Sequence, residues 1–559
     1  MSSSDELILQ EWEIWHQYTT YVLDHPIDTQ LAAASLTCDG IARCARVFGG
    51  KFHWAEGGET REASPIISIG RNGMGELDLR TVPRMDPYAL EGLYQSSWFE
   101  ASEAKLLTSD ILAPASYTRA FMGICRLVDQ EGSFDLYPLI KVYSTGILQV
   151  TFRMMCPSGG GIPIHEFIHT YRDLARREFD HVLIPASLLE NHAKHYLTSS
   201  RGTVSRGLRR KAWGSLPQYI AQHSESIDTG EFQFEVAPLF CRGLRVGLSD
   251  AGQLTMLPAQ GSEPSYVLEE LAEVILSATS RALARSRWMN RAGHENRLGD
   301  FRLGKPHIYI TAHSNQKWRA SKNEEVHREE FGEIISGVIC DSAQQAASFL
   351  PASSRSFDDF GWYVTQAALL QVWARYGLER WSRGAPNRAD LIYEQHAVAE
   401  ALDYGYLLHC RALELASRTA TSKQAYAAHE DLIHLRQRLN SPSRYGEIED
   451  LLQSGWSAAG VDKLYGMVGE MLTLRRQQTT ERESERATRW SHLVSTALGV
   501  LATLGIADQV VSPIWNWLNL PKLSVPAQQS LVQVGVSFGI VLGLLGILRC
   551  VSESCRRHT

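Results

Sequence analysis

The pattern of apolar and polar residues changes most sharply near the C-terminus of the chain. Two apolar segments, Trp490–Val511 and Leu531–Leu548, follow a polar, charge-rich stretch at residues 475–489. An apolar run of this length is long enough to cross the hydrocarbon core of a bilayer as a helix. The pattern therefore predicts a C-terminal two-helix transmembrane hairpin at residues 490–559, which ends in a short basic tail.

The first 322 residues mix the spacings of helices and strands. Residues 5 to about 24 place Ile8, Trp12, Trp15 and Val22 at helical spacing and predict an amphipathic helix. Strand-like runs follow at Ile66–Ile69, Tyr117–Val128, Tyr137–Met155, Phe232–Val246 and His307–Thr311. The turn sequence Ser144-Thr145-Gly146 predicts a hairpin within the third of these runs.

Helices are predicted between the strands as well. Pro163 suits the first turn of a helix that begins near Ile164, and Tyr266–Met289 has a long helical pattern. Residues 1–322 are therefore expected to form an α/β or α+β domain, as one body or as two subdomains.

Helical patterns dominate residues 323–489, where no strand signal is found. The predicted helices are Asn323–Ala347, Trp362–Trp381, Arg388–Ser417, Lys423–Leu439 and Val461–Arg489. The last of them has no Gly or Pro in its polar second half. We therefore expect a long stalk helix that continues into the first apolar segment.

Composition narrows the class of protein. The chain has 559 residues, with 55 Lys and Arg against 62 Asp and Glu. Without a strongly basic domain, no nucleic acid is predicted as a partner. The nine cysteines lack metal-type spacing and are typical of inert thiols in a reducing compartment.

The basic residues indicate how the hairpin is oriented. Lys522 is the one base between the two segments, whereas arginines precede the first segment and follow the second: Arg475, Arg476, Arg482, Arg486, Arg489, Arg549, Arg556 and Arg557. The positive-inside rule then places both ends in the cytoplasm, which agrees with an N-terminus that lacks signal-peptide features. We expect a multi-pass protein of the inner (plasma) membrane, with lipid as a partner.

Small residues form a stripe on each apolar segment. Gly535, Gly539 and Gly543 recur every four residues in the second segment. The corresponding face of the first segment carries Ser491, Ser495, Gly499, Ala502 and Gln509. Such stripes either line a narrow pore or allow membrane helices to pack closely. Both alternatives imply a homo-oligomer.

Asp508 has two interpretations as well. An acidic residue near a helix end can reach interfacial water, or a ring of such residues can attract cations to a pore mouth.

The layout of the chain resembles the CorA-type divalent-cation transporter superfamily. Residues 461–559 carry the resemblance, through the stalk-like helix, the two apolar segments and the basic tail. The Gly-Met-Asn motif of that family is absent, and Gly505-Ile506-Ala507-Asp508-Gln509 stands in its place. The resemblance implies a pentameric pore, with a divalent cation as transported ion or ligand, and it transfers no selectivity residue.

The expected function is therefore non-enzymatic and needs no cofactor. We expect an oligomeric membrane protein with a large cytoplasmic regulatory domain, acting as a cation channel, a transporter or a membrane effector. A non-catalytic sensor or scaffold that uses the hairpin only as an anchor is a further interpretation.

One short motif predicts a different function. Residues 165–169 spell His-Glu-Phe-Ile-His, which on a helix would place His165 and His169 on one face to share a zinc ion, with Glu166 as general base. Glu178 and Asp180 are candidates for the third ligand. This alternative is a membrane-anchored zinc metallopeptidase. Otherwise the segment is an ordinary amphipathic helix.

Overall fold

The computed structural model describes residues 7–22, 27–69, 75–107, 116–155, 161–199, 206–228, 232–235, 245–248, 251–258, 266–286, 305–316, 318–375, 377, 389–418, 422–439, 446–506, 509, 512–518, 531–532, 535–537, 539 and 543. The chain divides into two compact units, Met1–Gly469 and Glu470–Thr559. The first unit contains all the strands described below, and its mixture of helices and strands confirms the predicted α/β or α+β class.

Strands supply the framework of the first unit. They are β1 (Ile8–Tyr21), β2 (Ala42–Val47), β3 (Phe52–Glu56), β4 (Glu59–Ala63), β5 (Ile67–Ile69), β6 (Gly75–Leu77), β7 (Tyr117–Met122), β8 (Cys125–Asp129), β9 (Gly132–Tyr143), β10 (Ile147–Met155), β11 (Ile162–Pro163), β12 (His181–Pro185), β13 (Ser224–Asp228), β14 (Phe232–Glu235), β15 (Arg245–Leu248), β16 (Ala251–Met256), β17 (His307–Ser314), β18 (Phe360–Val364) and β19 (Ala368–Trp373).

The α-helices pack around these strands or follow them in the chain. They are α1 (Thr29–Cys38), α2 (Pro87–Leu107), α3 (Ile164–Phe167), α4 (Ala186–Ser199), α5 (Arg206–His223), α6 (Leu268–Ser286), α7 (Ala320–Ser336), α8 (Ala343–Phe349), α9 (Ala389–Ser417), α10 (Ser422–Leu439), α11 (Gly446–Ala458), α12 (Val461–Ile506) and α13 (Ser512–Trp517).

Most strands belong to one large sheet. Its main path runs β13-β16-β12-β8-β9-β10-β1-β17-β19-β18, and β2, β3, β4 and β7 branch from β9. The two halves of the long strand β9 pair with β8 and with β7. The pairings along the sheet are antiparallel except for β17 with β19, which is parallel. Two short hairpins, β5–β6 and β14–β15, stand apart from this sheet.

The prediction of a helix at residues 5 to about 24 is wrong, because this segment is the central strand β1. Ile14 pairs with Met154 of β10 on one side and with Ile310 of β17 on the other. Trp12 and Trp15 are both buried although they point to opposite faces of the sheet. A strand that is buried on both faces has no solvent-facing positions, so its sequence does not show the two-residue period of a strand. The helical spacing of its apolar residues is therefore a coincidence.

The two faces of the sheet differ in chemistry. The apolar face carries Trp12, Ile14, Ile140, Val150 and Phe152, all of them members of the hydrophobic core. Residues of α1, α4, α6 and α7 complete this core. The polar face carries the neighbours of these residues along the same strands, and α2 and α9 pack on it.

The predicted hairpin at Ser144-Thr145-Gly146 is confirmed. Strands β9 and β10 pair from Val142 with Leu148 onward, and Gly146 has a φ of 90° in the turn between them. A side chain at position 146 would also meet the carbonyl oxygen of Val22 at 2.6 Å, so the turn requires glycine.

Several other segments form the type of element, strand or helix, that the sequence predicts for them. The run at Tyr117–Val128 contains β7 and β8, and His307–Thr311 lies in β17. The run at Phe232–Val246 contains β14 and the start of β15, with residues 236–244 outside the described part. The helix near Ile164 is α3, and Tyr266–Met289 contains α6.

The prediction of a helix at Trp362–Trp381 is wrong. Its first part forms the hairpin β18–β19, so strands do occur after residue 324. All residues of both strands are buried, and an apolar run of this kind does not distinguish a buried strand from a buried helix. The helices predicted at Asn323–Ala347, Arg388–Ser417 and Lys423–Leu439 are confirmed as α7 with α8, α9 and α10. Helix α11 was not predicted.

The long helix that begins at Val461 is confirmed and extends to Ile506. It includes the polar stretch 475–489 and much of the first apolar segment. Among the described residues, no helix combines the length and the apolar character needed to cross a bilayer. Most of Leu531–Leu548 lies outside the described residues, and the transmembrane hairpin stays a prediction.

Candidate functional site

The polar face of the sheet carries a buried layer of charged residues. The strands present Glu13, Arg119, Lys141 and Arg153, each less than a tenth exposed. Helix α9 supplies the facing groups His396, Glu400, Asp403 and Arg411, at spacings that keep them on one side of the helix. Buried charges are rare in proteins unless they are paired, so the pairing in this layer determines what it can do.

Four residues form the centre of the layer, here called the ion cluster: Glu103, Arg119, Lys141 and Glu400. Arg119 donates to both carboxylate oxygens of Glu400, at 2.6 Å from Nη1 and 2.7 Å from Nη2. Lys141 Nζ donates to Glu400 at 2.6 Å and to Glu103 at 2.7 Å. Arg119 also donates to Glu103 at 3.0 Å. Two positive and two negative groups therefore neutralise one another.

The electrostatics of the ion cluster favour the charged forms. Burial alone would raise the pKa of Glu400, but Arg119 and Lys141 outweigh this effect and hold the pKa below its usual value. Burial would likewise lower the pKa of Arg119, and Glu400 raises it instead. The pKa of Tyr117 is raised well above its usual value by burial and by Glu103, to which its hydroxyl donates.

A second group of the layer centres on Glu13. Arg153 donates to both carboxylate oxygens of Glu13, and Trp15 Nε1 donates to one of them at 2.6 Å. His396 Nε2 lies 3.0 Å from the same oxygen, and its ring stacks on that of Trp15 with centroids 3.3 Å apart. Burial would raise the pKa of Glu13, but Arg153 and His396 lower it strongly. This carboxylate is therefore held ionised by Arg153 and His396, which come from two elements distant in sequence.

A third group ends at the surface. Gln17 Nε2 donates to Asp403 Oδ2 at 2.6 Å, and His307 Nδ1 is bonded to Asp403 Oδ1. The Asp403 side chain is 1% exposed, whereas that of His307 is 26% exposed. Burial would lower the pKa of His307, but the charge of Asp403 and their hydrogen bond raise it. His307 is therefore the end of the layer that solvent can reach.

A cleft opens beside His307. It is small, with a cavity volume of about 20 Å³, and lies between the first residues of β17 and β19, the turn before β19, and helices α9 and α11. Its apolar walls include Leu369, Leu402 and Trp456, and its polar groups include Thr365, Gln366 and Tyr406. A cavity of this volume holds about one water molecule and is far below the size of a small-molecule site.

The His-Glu-Phe-Ile-His segment does not form one regular helix. Helix α3 ends at Phe167, and residues 168–172 continue as a π-helical turn. His165, Glu166 and His169 are exposed. Within the part of the chain that the structure describes, no three His, Cys, Asp or Glu side chains are grouped closely enough to hold a metal ion.

The predicted stripes lie in the second unit. Ser491, Ser495, Gly499 and Ala502 belong to α12, and Ser491 and Ser495 are exposed, as is Gln509. Gly535, Gly539 and Gly543 are helical and exposed, and within the described part of the chain no atom beyond their own helix backbone and chain neighbours lies within 4 Å of the place where a Cβ would stand. Asp508 lies outside the described residues.

None of the residues of the polar layer or of the cleft was predicted from the sequence. The sequence gives only a weak signal that these residues pair, because Glu13 and Glu400 are nearly four hundred positions apart. Strand β10 shows the useful local pattern, since Gln149, Thr151 and Arg153 alternate with apolar residues. Such alternation is normally typical of a strand with one solvated face.

Comparison with known proteins adds no assignment to this geometry. No protein-family model, no curated protein and no solved structure matches the chain.

Proposed function

We propose that this chain is an oligomeric membrane protein. Its large regulatory domain precedes the C-terminal membrane hairpin and controls the conduction of cations through that hairpin. The observation that carries the proposal is the helix α12, which runs without a break from Val461 to Ile506. It contains both a polar, solvent-exposed stretch and the start of the first apolar segment. A continuous helix of this kind can transmit a change in the body to a membrane segment.

Exposed aromatic residues support a membrane location for the C-terminal part. Trp490 is 67% exposed where the first apolar segment begins, and Trp517 is 82% exposed after it. Tryptophan favours the two interfaces of a bilayer, because its ring is apolar and its N–H group is polar. Leu531, Val532 and Val536 of the second segment are exposed as well. In a membrane, lipid or neighbouring subunits would cover these side chains.

The glycine stripe supports association between copies of the chain. Gly535, Gly539 and Gly543 are exposed, and the described residues of a single chain leave open space beside them. Small residues at this spacing let membrane helices approach closely, which favours packing between subunits.

The buried polar layer is an argument for a regulatory role of the domain that precedes the hairpin. Paired buried charges are often no more stabilising than apolar residues of the same volume, so they are weak evidence for stability as their role. Helix α9 is held over the sheet by directional contacts, such as those of Glu400 with Arg119 and Lys141. A helix held in this way can change position when one contact is lost, and an apolar interface responds less selectively.

Cation flux into liposomes tests the proposal. Purified full-length protein is reconstituted in vesicles loaded with a cation-sensitive dye, and its subunit number is measured in detergent. The Ala502→Leu variant places bulk on the predicted stripe of α12. Ala497→Leu makes the same change five residues away on a different face of this helix. We expect Ala502→Leu to reduce flux strongly and Ala497→Leu to leave it nearly unchanged.

Two results would contradict the proposal. A monomeric protein that remains in the soluble fraction after cell lysis would remove the membrane location. Oligomeric, membrane-bound protein without flux for any cation would remove conduction. In that case an unrelated two-span anchor in place of residues 490–559 should preserve function, as expected for a sensor or scaffold that uses the hairpin only as an anchor.

A further inference from the structure

The first two turns of α12 are attached to α9 and α10 by a small contact region, here called the junction. These turns lie in the first compact unit. Val461 and Val468 are buried there. Tyr465, half-buried between them, contacts His409 of α9 with ring centroids 6.2 Å apart and His429 of α10 with centroids 5.7 Å apart.

Arg436 of α10 supplies the charged contacts of the junction. Its guanidinium carbon lies 4.0 Å from the centroid of the Tyr465 ring, and its Nη2 donates to Asp462 at 2.9 Å. The Asp462 side chain is 76% exposed, and an ion pair with one partner in solvent contributes little to stability. The docking of α12 therefore depends mainly on the aromatic and apolar contacts around Tyr465.

His409 is fully buried within these contacts. Its Nδ1 lies 2.7 Å from the carbonyl oxygen of Gly405, one turn earlier in α9. A carbonyl oxygen accepts and does not donate, so Nδ1 carries the ring proton and Nε2 presents a lone pair. No hydrogen-bond partner of this buried Nε2 is found among the described residues. A second proton at Nε2 would therefore create a buried cation without an acceptor.

The surroundings of His409 oppose this second proton. The other titratable groups of the junction are Arg436 and His429 of α10, and Asp462 and Tyr465 of α12. Burial is the main cause that lowers the pKa of His409 to about 4; Arg436 acts in the same direction, and the hydrogen bond of Nδ1 and Asp462 act against it. An imidazole in water takes up its proton near pH 6.5. Acid therefore favours a state in which water reaches His409.

The turn before α12 provides a pivot. Gly460 separates α11 from α12 and has a φ of 71°, in the left-handed region. On the other side of this turn, α11 is fixed to α9, because Trp456 Nε1 donates to the carbonyl oxygen of Leu402 at 2.9 Å. A Cβ atom at Gly405 would lie 2.1 Å from the Trp456 ring, so α9 and α11 are in close contact. The element that can move away from His409 is therefore α12.

We propose that a proton taken up from solvent at His409 Nε2 releases the first two turns of α12 from α9 and α10, with Gly460 as the pivot. The junction is then an acid-sensitive switch: docked when His409 is neutral and released when it is charged. The inference does not rest on the proposed function, because release is measured directly and without flux.

Hydrogen–deuterium exchange of the full-length protein in detergent tests the inference. The protein is labelled at pH 7 and at pH 5, and each rate is corrected for the intrinsic pH dependence of exchange. Residues 461–468 should exchange about twentyfold faster at pH 5, because one proton binds near pH 6.5 in the released state and near pH 4 in the docked state. The rest of the first unit should change less.

Two histidine variants identify the group that titrates. His409→Phe keeps an aromatic ring in the junction and removes the titration, so the exchange of residues 461–468 should change less than about twofold between the two pH values. His434→Gln is the matched control, since His434 lies on α10 with 58% of its side chain exposed. It should keep the full wild-type response.

A second pair of variants shows that the exchange of this segment reports docking. Tyr465→Ala removes the central contact of α12, and residues 461–468 should exchange rapidly at both pH values. Met467→Ala changes a 50% exposed side chain two positions away. It should leave both the rate at pH 7 and the acid response unchanged.

Three results would overturn the inference. They are equal exchange of residues 461–468 at both pH values in the wild-type protein, an acid response that persists in His409→Phe, and an equal increase throughout the first unit. If His409→Phe does not fold, the wild-type comparison and the Tyr465 and Met467 variants still decide. Acid release in a protein that shows no cation flux would support this inference and contradict the proposed function, so the two outcomes are separable.

Discussion

The two faces of the central sheet are built from the same strands but by different physical means. On the apolar face, Ile140, Val150 and Phe152 pack into the hydrophobic core. On the polar face, Lys141, Gln149 and Arg153 are buried as well and are held by hydrogen bonds and ion pairs. Burial alone therefore does not explain how the helices are attached to this sheet.

The difference lies in what each face specifies. Apolar contacts stabilise in proportion to the area removed from water and are not directional. The contacts of the polar face have fixed partners and angles, because each charge loses its hydration on burial and needs a partner. The apolar face therefore provides most of the stability, and the polar face fixes the position of α9. Through Asp403, the position of α9 also fixes His307 at the cleft.

Removing one charge from the ion cluster should have the largest effect. Glu400→Gln keeps the shape of the side chain and leaves Arg119 and Lys141 with one carboxylate between them. We expect a loss of about 3–5 kcal/mol in the free energy of unfolding, because buried charges remain uncompensated. Denaturant titration followed by tryptophan fluorescence measures it.

The matched control lies on the opposite face of the sheet. Ile140→Val removes one methylene next to Lys141 on β9, and we expect it to lose only about 0.5–1.5 kcal/mol. If both variants lose the same amount, the two faces do not differ as described.

Replacing the whole ion cluster should reverse the loss. A variant with Glu103→Leu, Arg119→Met, Lys141→Met, Glu400→Leu and Tyr117→Phe removes all five polar groups together. We expect its free energy of unfolding to equal or exceed that of the wild-type protein by up to about 4 kcal/mol, since no charge is left unpaired. A variant less stable than Glu400→Gln would show that the cluster itself stabilises the fold. The same denaturant titration decides between the two results.

Two histidines on opposite faces, His16 and His307, should respond to pH in opposite directions. His16 lies on the apolar face, where burial lowers its pKa to about 3. The unfolded chain binds this proton near pH 6.5, so the stabilising contribution is complete above that pH and is lost as the pH falls toward 3. The pKa of His307 on the polar face is raised. Its contribution is complete below pH 6.5 and is lost as the pH rises through the raised value.

Unfolding measured between pH 4 and pH 9 separates these contributions. The maximal slope from one histidine is about 1.4 kcal/mol per pH unit. His16→Asn should flatten the acidic side of the stability profile, and His307→Gln should flatten the alkaline side. A profile that is changed on the same side by both variants would contradict the assignment of the two histidines to different environments.

The smallest expected effect concerns a neutral hydrogen bond of the polar face. Tyr143 OH donates to Gln149 Oε1 at 3.2 Å, and Gln149 in turn donates to the carbonyl oxygen of Glu400 at 3.0 Å. Tyr143→Phe should lose about 1 kcal/mol of unfolding free energy. Thermal melts of Tyr143→Phe and Glu400→Gln, measured in parallel, give the ratio of the two losses in stability. A loss as large as that of Glu400→Gln would mean that orientation, and not charge, dominates the polar face.

Local signals were sufficient for part of the fold. The β9–β10 hairpin was predicted because the alternating pattern and Gly146 both act within a few residues. Helices α6, α9 and α10 were predicted because their apolar residues recur at one spacing over several turns. The continuity of α12 followed from a polar stretch without Gly or Pro.

Segments that are buried on all sides gave misleading patterns. Strand β1 was predicted as a helix because it is buried between β10, β17, the core and α9, and no solvated face revealed its period. Strands β18 and β19 were predicted as part of a helix for the same reason. In each case the neighbouring strands, and not the local sequence, select the extended conformation.

By itself, the sequence determined which segments are apolar, where several helices and turns begin and end, and that its C-terminal part differs from the rest. These properties depend on residues close together in the chain. Only the tertiary structure decided that Glu13 meets Arg153 and His396, that Arg119 and Lys141 share Glu400, and that Asp403 orients His307 at a cleft. A charged residue shows in the sequence only its own charge, whereas its partner, its burial and its pKa are set by residues that folding brings from distant parts of the chain.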